Sequence, residues 1–415
     1  MRRVIGMDIH RTFAEVVFWE EGKLRPAGRI TMTRVGLEGF GRSLGKEDEV
    51  VVEATGNAMA VVRVLAPYVA RVIVANPLQV KAIAHAHVKT DKIDAGVLAS
   101  LRVANFLPEI WLPDAGTERL RRLVTRRNQV VRHRTRIKNE VHSILHAHLI
   151  PPCPHADMFG RLGRIWLARQ VVPDDERAAI ERHLRELDRL GEDLGVLDTE
   201  IAQAAIEEPT VKRLLTITGV NLIVAAGLAA AIGDVHRFPD PQSLVSYVGE
   251  PAGTAIRART CSAWSHQQAR ALPCSRHAGR AMLVEAAWAA SKAPGPLRAF
   301  FLRIRARRGH QIAAVAVARK LAVLCWHLLT KEADYQWARP ALVANKLRAM
   351  ELQAGQPARK GNKRGPAYAY NVKELRDREI ELARHAEQAY EQFVSKWQRR
   401  GNAKQRTGAA SEERR

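Results

Sequence analysis

Val4-Ile5-Gly6-Met7-Asp8-Ile9-His10, followed by Phe13-Ala14-Glu15-Val16-Val17-Phe18, decides the fold of this 415-residue chain. The first run is apolar up to Asp8 and the second alternates, so the pair reads as a strand, a tight turn and a second strand. Arg29-Ile30-Thr31-Met32 continues the extended pattern, and a short helix is expected near 37–44. A buried-looking strand, Glu49-Val50-Val51-Val52, ends at Glu53, just before the breaker Gly56-Asn57. A helix from Ala58 to about Val69 and the strand Arg71-Val72-Ile73-Val74-Ala75 come next. Asn76-Pro77 stops that strand and starts another helix.

Asp8 and Glu53 therefore end two strands. Asp91 and Asp94 lie in Thr90-Asp91-Lys92-Ile93-Asp94-Ala95, three apart at the start of a helix, and share one face. Carboxylates at strand ends and a helix start can converge on one point, where oxygen ligands suit Mg²⁺ or Mn²⁺. Such ions can activate water or a hydroxyl and stabilise a leaving oxygen in phosphoryl transfer. A single Asp after a strand is usually a turn or cap residue, and acids in a first helical turn are favoured by the macrodipole alone. Four such positions in this order, in a basic chain, favour a metal site of Asp8, Glu53, Asp91 and Asp94. The alternation of strands and helices predicts an α/β layer fold of ribonuclease-H type with a mixed sheet.

Lys and Arg number 66 against 43 Asp and Glu, a net charge of +23. An excess of this size is the footprint of a phosphate-backbone binder. The length suffices for two or three domains with real cores. Cys153, Cys261, Cys274 and Cys325 show no metal-ligand spacing and imply no disulfide framework. No stretch reads as a membrane span and the N-terminus lacks a signal-peptide core, so a cytoplasmic, nucleoid-associated protein is expected.

From 117 to 149 the pattern becomes one long helix, with Leu123, Val130, Ile137 and Ile144 recurring every seven residues beside Val124, Val131 and Leu145. Its other face carries Arg126, Arg127, Arg132, Arg134, Arg136 and Lys138, a run of one sign that repels itself unless an anion neutralises it. Nucleic acid along this helix is the expectation. A second heptad helix, 175–206, has Leu187, Leu190, Leu194, Leu197 and Ile201 on its seam. The two are expected to pair as an antiparallel coiled-coil arm, within one chain or between subunits of a homo-oligomer. A third unit begins with Thr218-Gly219-Val220-Asn221 before the apolar helix Leu222–Ile232, and a glycine turn feeding a helix can hold a backbone phosphate. A later helical run, 297–329, adds the basic residues Arg305, Arg307 and Arg308. Residues 360–365 read as a linker, 372–397 as a helix, and the polar tail 399–415 as lacking fixed structure. The expected divisions are 1–112 for the catalytic α/β domain, 113–210 for the coiled-coil arm, 211–336 for a mainly helical domain, and 337–415 for linker, helix and tail.

Gly6-Met7-Asp8-Ile9, Val52-Glu53-Ala54-Thr55-Gly56, Lys89-Thr90-Asp91-Lys92-Ile93-Asp94-Ala95 and Thr218-Gly219-Val220, continuing to Ile232-Gly233-Asp234, Arg237-Phe238 and Tyr247-Val248-Gly249, together resemble the DEDD transposases of insertion-sequence family 110. The resemblance covers nearly all of 1–336. It implies a RuvC-like domain, a coiled-coil region and a small C-terminal transposase domain. It also implies site-specific DNA recombination, guided in some members by a structured RNA. Asp8, Glu53, Asp91 and Asp94 match the four acidic positions, which implies catalytic, metal-holding roles for them. The family further uses a serine nucleophile in a Ser-Gly element shortly after Tyr-x-Gly.

That element is missing here. After Tyr247-Val248-Gly249 the chain reads Glu250-Pro251-Ala252-Gly253-Thr254-Ala255-Ile256-Arg257, and the family pattern returns only near Arg280-Ala281-Met282-Leu283. Reading the permitted codons of 250–275 one nucleotide later can restore both Ser-Gly and Ile-Ser-Lys-x-Gly, in order. Compensating frameshifts over about 250–279 account for the gap. The restored serine codon would straddle Ile256 and Arg257, so no serine stands at the matching position and the nucleophile is unassigned. The function expected is that of an insertion-sequence transposase acting on DNA, with a structured guide RNA as a further partner and strand exchange lost through the frameshift. The alternatives are a non-catalytic nucleic-acid-binding remnant of a transposable element and a RuvC-like junction nuclease.

Overall fold

The computed structural model describes residues 3–83, 90–249, 275–357 and 366–412, with the side chains of 275–278, 366 and 397–412 left aside. These residues form two compact units, one ending at Asp114 and one beginning at Ala115.

The first unit is built on a five-stranded mixed sheet in the order β3-β2-β1-β4-β5. Strands β1 (Val4–Ile9), β2 (Phe13–Glu20) and β3 (Lys23–Thr31) form an antiparallel meander. Strands β4 (Glu49–Glu53) and β5 (Arg71–Ala75) extend it in parallel from β1. The β2–β3 connection is two residues long, with Glu21 and Gly22 both at positive φ (49° and 77°), the twist that suits a tight hairpin.

Alternation along the strands sends side chains to two cores. Ile5, Met7, Val50, Val52 and Val72 pack with α1 (Arg34–Arg42) and α2 (Ala58–Leu65) on one face. Val4, Val51 and Ile73 pack on the other with α4 (Asp91–Val103), which follows the short α3 (Pro77–Ile83). Helix α4 starts where expected because the Thr90 hydroxyl caps it, accepting from Ile93 N at 3.3 Å, while Asp91 and Asp94 complement the dipole. It lies directly on β1 because Gly6 has no side chain. A Cβ there would meet the Ala95 carbonyl oxygen at 1.8 Å. Arg102 near the end of α4 reaches the buried Glu49 at 2.8 and 3.1 Å, so both ends of the helix are tied to the sheet.

The second unit is helical. Helices α5 (Ala115–Ala147) and α7 (Asp174–Ala205) run antiparallel, tied by Arg127–Asp198, by His133–Glu186 at 3.2 Å and by His183–Glu140 at 3.6 Å. The buried seam of α5 is Leu120, Val124, Val130, Ile137, Val141 and Leu145. It departs from the expected heptad at Val131, which is exposed although Val124 and Leu145, one heptad before and two after, are buried. A short helix that the sequence pattern did not reveal, α6 (Arg161–Ala168), closes the far end through Leu167, which packs with Val141, Met158 and Ile180.

The main core gathers α8 (Pro209–Leu215), α9 (Leu222–Ile232), α10 (Pro241–Tyr247), α11 (Ser275–Lys292), α12 (Pro296–Arg308) and α13 (His310–Thr330). Gly309, at φ 84°, breaks the expected single run 297–329 into α12 and α13. Helix α13 corrects the expectation about membrane-length segments: its 21 residues are long and apolar enough to cross a membrane. Ala314, Val317, Ala318, Leu321 and Ala322 on it are buried in the helical core, which explains the composition. Helix α14 (Pro340–Gln353) and the short α15 (Pro366–Ala369) precede α16, which runs Lys373–Glu412 and continues into the tail expected to lack structure. Its Ala, Lys, Arg, Gln and Glu content favours helix locally. The 360–365 linker and most of the 250–279 stretch, with Ser262 and Ser265, lie outside the described residues.

Candidate metal centre

The carboxylates lie on the α4 side of the sheet. Asp8 follows Met7 on β1 and Glu53 follows Val52 on β4; Met7 and Val52 are register partners, so the two acids stand side by side at the ends of parallel strands. Val4 and Gly6 face α4, and Asp8 shares their parity. Glu49 and Val51 also face α4, and Glu53 shares theirs. The contact between Gly6 and Ala95 then sets the first turn of α4 beside the strand ends.

One oxygen each from Asp8 and Asp91, with Nε2 of His10, forms a triad whose atoms all lie within 4.8 Å of one another. His10 Nε2 is 3.2 Å from Asp8 Oδ2 and 3.5 Å from Asp91 Oδ1. Burial pushes the Asp8 carboxyl above its ordinary range; His10 opposes the shift, and the charges of Asp91 and Asp94 reinforce it. Asp94 thus acts on Asp8 electrostatically but is not one of the three converging ligands. Glu53 sits at the strand level described and has interactions of its own.

Three residues that the sequence pattern did not single out complete the surroundings. Glu15, the register partner of Asp8, is only 2% exposed. Arg29 on β3 donates from Nε to Glu15 at 2.9 Å and from Nη2 to Asp91 at 3.4 Å, with its guanidinium 4.3 Å from the Phe13 ring centroid. A buried carboxylate is costly without such a partner. The signals were present: an acid within the apolar run of β2, and a histidine two residues after Asp8. Asn57 ties the loop after β4 to the loop after β1, donating to the His10 carbonyl at 3.2 Å. Beside His10 opens a cleft of about 1040 Å³ whose lining includes Arg11, Arg34, Arg63, Thr33 and the apolar Met32 and Tyr68.

The basic residues of the second unit divide by environment. Arg126, Arg132 and Arg136 are exposed, Arg127 is paired with Asp198, Arg134 is half-buried, and the Lys138 ammonium lies 4.9 Å from the Phe159 ring centroid. Arg305, Arg307 and Arg308 are exposed on the last turn of α12. Gly219, at φ 91°, has α11 packed against it: a Cβ there would lie 2.6 Å from Ala290 N. Close helix packing is therefore a sufficient reason for glycine at this turn. Among the described cysteines, Cys153 is half-buried and Cys325 is buried, and both are free.

Residues 5–150 match the family model of the DEDD transposases of insertion sequence 110, described as "Transposase". Residues 211–302 match "Transposase IS116/IS110/IS902 family". Together the two matches span more than half of the chain. Among curated relatives, the "Transposase for insertion sequence element IS1111A" of Coxiella burnetii is 25% identical over 256 residues, 60% of this chain and 68% of the relative. The "Probable family 20 transposase" of Pseudomonas aeruginosa is 27% identical over 266 residues, 60% of this chain and 75% of that protein.

Proposed function

This chain belongs to the IS116/IS110/IS902 family of insertion-sequence transposases, and we propose that it processes DNA at a divalent-metal site held by Asp8, Glu53, Asp91 and Asp94 in a RuvC-like domain. The carrying observation is the convergence of Asp8 and Asp91 from different elements, with the Asp8 carboxyl held above its usual range. The donor set is mainly carboxylate oxygen, which fits Mg²⁺ or Mn²⁺. When bound, such an ion polarises a phosphoryl oxygen and lowers the pKa of water or an attacking hydroxyl. Asp8 and Asp91 would hold such an ion beside the scissile phosphate. Arg29 keeps Glu15 neutralised, so an anionic substrate meets less repulsion. Arg11 and Arg63, on the lining of the cleft beside His10, offer positive charge to a nucleic-acid backbone, while Arg34 there is paired with Glu38.

The division of labour follows the domain boundaries read from the sequence: catalysis in 1–112, an α5–α7 arm in 113–210, a transposase domain in 211–336 and a basic extension in 337–415. The arm is the surface for self-association. Arg126, Arg132 and Arg136, with Arg127, Arg134 and Lys138, and Arg305, Arg307 and Arg308, with the Gly219 turn, contact DNA and a structured guide RNA. The protein acts in the cytoplasm at the nucleoid.

A second reading has its own support. No serine occupies the position where the family's Ser-Gly element belongs, and frameshifts across 250–279 would leave the chain without strand exchange, as a nucleic-acid-binding remnant. A cleavage assay on matched donor and target DNA, with Mg²⁺ or Mn²⁺, tests both. Metal-dependent nicking abolished by Asp8→Asn and by Asp91→Asn is the result expected of the enzyme. Tight DNA binding with no nicking, under conditions where an intact relative cuts, would establish the remnant.

A further inference from the structure

We infer that His10 is a nitrogen ligand of the metal at this site, giving it a mixed oxygen–nitrogen donor set and a preference for Mn²⁺ over Mg²⁺. The inference rests on the metal-site reading above and goes beyond the four acids.

His10 is held on three sides. Its backbone N–H donates to the Phe13 carbonyl at 2.9 Å, and its own carbonyl accepts from Asn57 at 3.2 Å. The ring stacks on Phe13, with centroids 4.5 Å apart and planes 29° from parallel. This clamp aims Nε2 at the carboxylates. The atom is buried and off the line of a geometric hydrogen bond, although its approach to Asp8 still favours the ionised carboxylate. Two carboxylate oxygens nevertheless sit beside it at 3.2 and 3.5 Å.

A buried polar nitrogen without an aligned partner costs free energy unless something else satisfies its lone pair. The spacing identifies what. Ligands about 2.1 Å from an octahedral ion, at right angles to one another, are separated by about 3 Å. His10 Nε2 lies at nearly that separation from each acid, at 3.2 and 3.5 Å, and the three donor atoms all fall within 4.8 Å of one another, so one cation can bond to all three once the acids close on it. Mn²⁺ shares the oxygen preference of Mg²⁺ but, as the first member of the Irving–Williams series, accepts an imidazole nitrogen more readily than Mg²⁺, which holds to oxygen and water.

The test uses the full chain loaded with Mn²⁺. Pulsed electron paramagnetic resonance on protein carrying ¹⁴N- or ¹⁵N-histidine should show the modulation of a directly bonded imidazole. His10→Ala should abolish it. Calorimetric Mn²⁺ affinity should fall about tenfold or more in His10→Ala, with a smaller change for Mg²⁺. His10→Asn, whose shorter side chain keeps a polar group in the loop, should behave like His10→Ala for the resonance signal, which separates lost ligation from lost folding. Mn²⁺ bound in a manner sensitive to Asp8→Asn but without nitrogen modulation would overturn the inference and leave the carboxylate site standing. Modulation that persists in His10→Ala would also overturn it. Absence of any Asp8-dependent Mn²⁺ binding would instead overturn the metal-site reading, and this inference with it.

Discussion

Gly6 on β1 and Ala95 on α4 touch so closely that a single added carbon on Gly6 would fall 1.8 Å from the Ala95 carbonyl oxygen. Through that contact the helix bearing Asp91 and Asp94 lies against the strand bearing Asp8. Gly6→Ala is therefore expected to destabilise the first unit by about 3 kcal/mol or more, since backbone rather than a flexible side chain must give way. Chemical denaturation measures the loss, and Mn²⁺ titration should show affinity falling with it. A variant of native stability and unchanged metal binding would contradict this account.

Asp48 offers a pH-dependent check away from the site. It is buried, which opposes ionisation, but hydrogen bonds from Arg3 (2.5 Å from Nη2) and from Gly45 N outweigh that and hold its carboxyl below the usual range. A carboxylate with a depressed folded pKa adds stability above its unfolded value of about 3.9, and that stability is lost as pH falls through the folded value. Asp48→Asn should cost about 2 kcal/mol at pH 7. The difference from the parent should shrink as pH falls below the unfolded value and on through the depressed folded value in denaturant melts, and a gap that stays constant with pH would refute the pairing argument.

Lys346 behaves in the opposite sense. Its ammonium donates to the carbonyls of Leu215 and Ile217 at 2.8 and 3.1 Å, and burial, aided by Arg339, lowers its pKa to about 8. The folded state releases this proton near pH 8, whereas the unfolded chain keeps it to about 10.4. Stability should therefore rise as pH increases from 8 towards 10. Lys346→Met should remove that rise from thermal melts, and an identical pH profile in the two proteins would count against it.

Exposed and paired arginines on α5 should separate by salt dependence. Replacing Arg126, Arg132 and Arg136 with Ala should lower the slope of log affinity against log salt by about one for each phosphate that is no longer neutralised. Arg127→Ala should chiefly loosen the α5–α7 pair, because Arg127 already spends its charge on Asp198. An unchanged slope in the triple variant would remove this helix from the nucleic-acid surface.

Strand exchange by the chain as written is expected to be absent, and a version recoded to restore Arg-Gln-Ser-Gly should regain it on matched donor and target DNA. Recombination by the unaltered protein, abolished by Ser262→Ala or Ser265→Ala, would show that 250–279 is a true active-site loop.

Strand β2 was legible from alternation and β1, β4 and β5 from short apolar runs, whereas only the end of β3, from Arg29, was read, because residues 23–28 carry no apolar pattern; the start of α4 was legible from two first-turn acids after Thr90. Asp8, Glu53, Asp91 and Asp94 could be named because each sits at the end of an element, where local pattern is strongest. The arm was legible as two long helices but not in every seam position, since a heptad count cannot say which of its residues the partner helix covers. The break at Gly309 was missed because the apolar pattern continues on both sides of it.

Which elements form, and which acids end them, is written in the chain itself, because capping, alternation and turn chemistry act over a few residues. Which groups meet is not. His10 joins Asp8 and Asp91 through stacking on Phe13 and a bond from Asn57, 47 residues away in the chain. Glu15 is buried beside a strand end and matched by Arg29 from the next strand. Gly219 faces the backbone of α11 instead of open space. Each relation depends on sheet register or helix docking, and those are settled by the packing of distant segments rather than by any local preference.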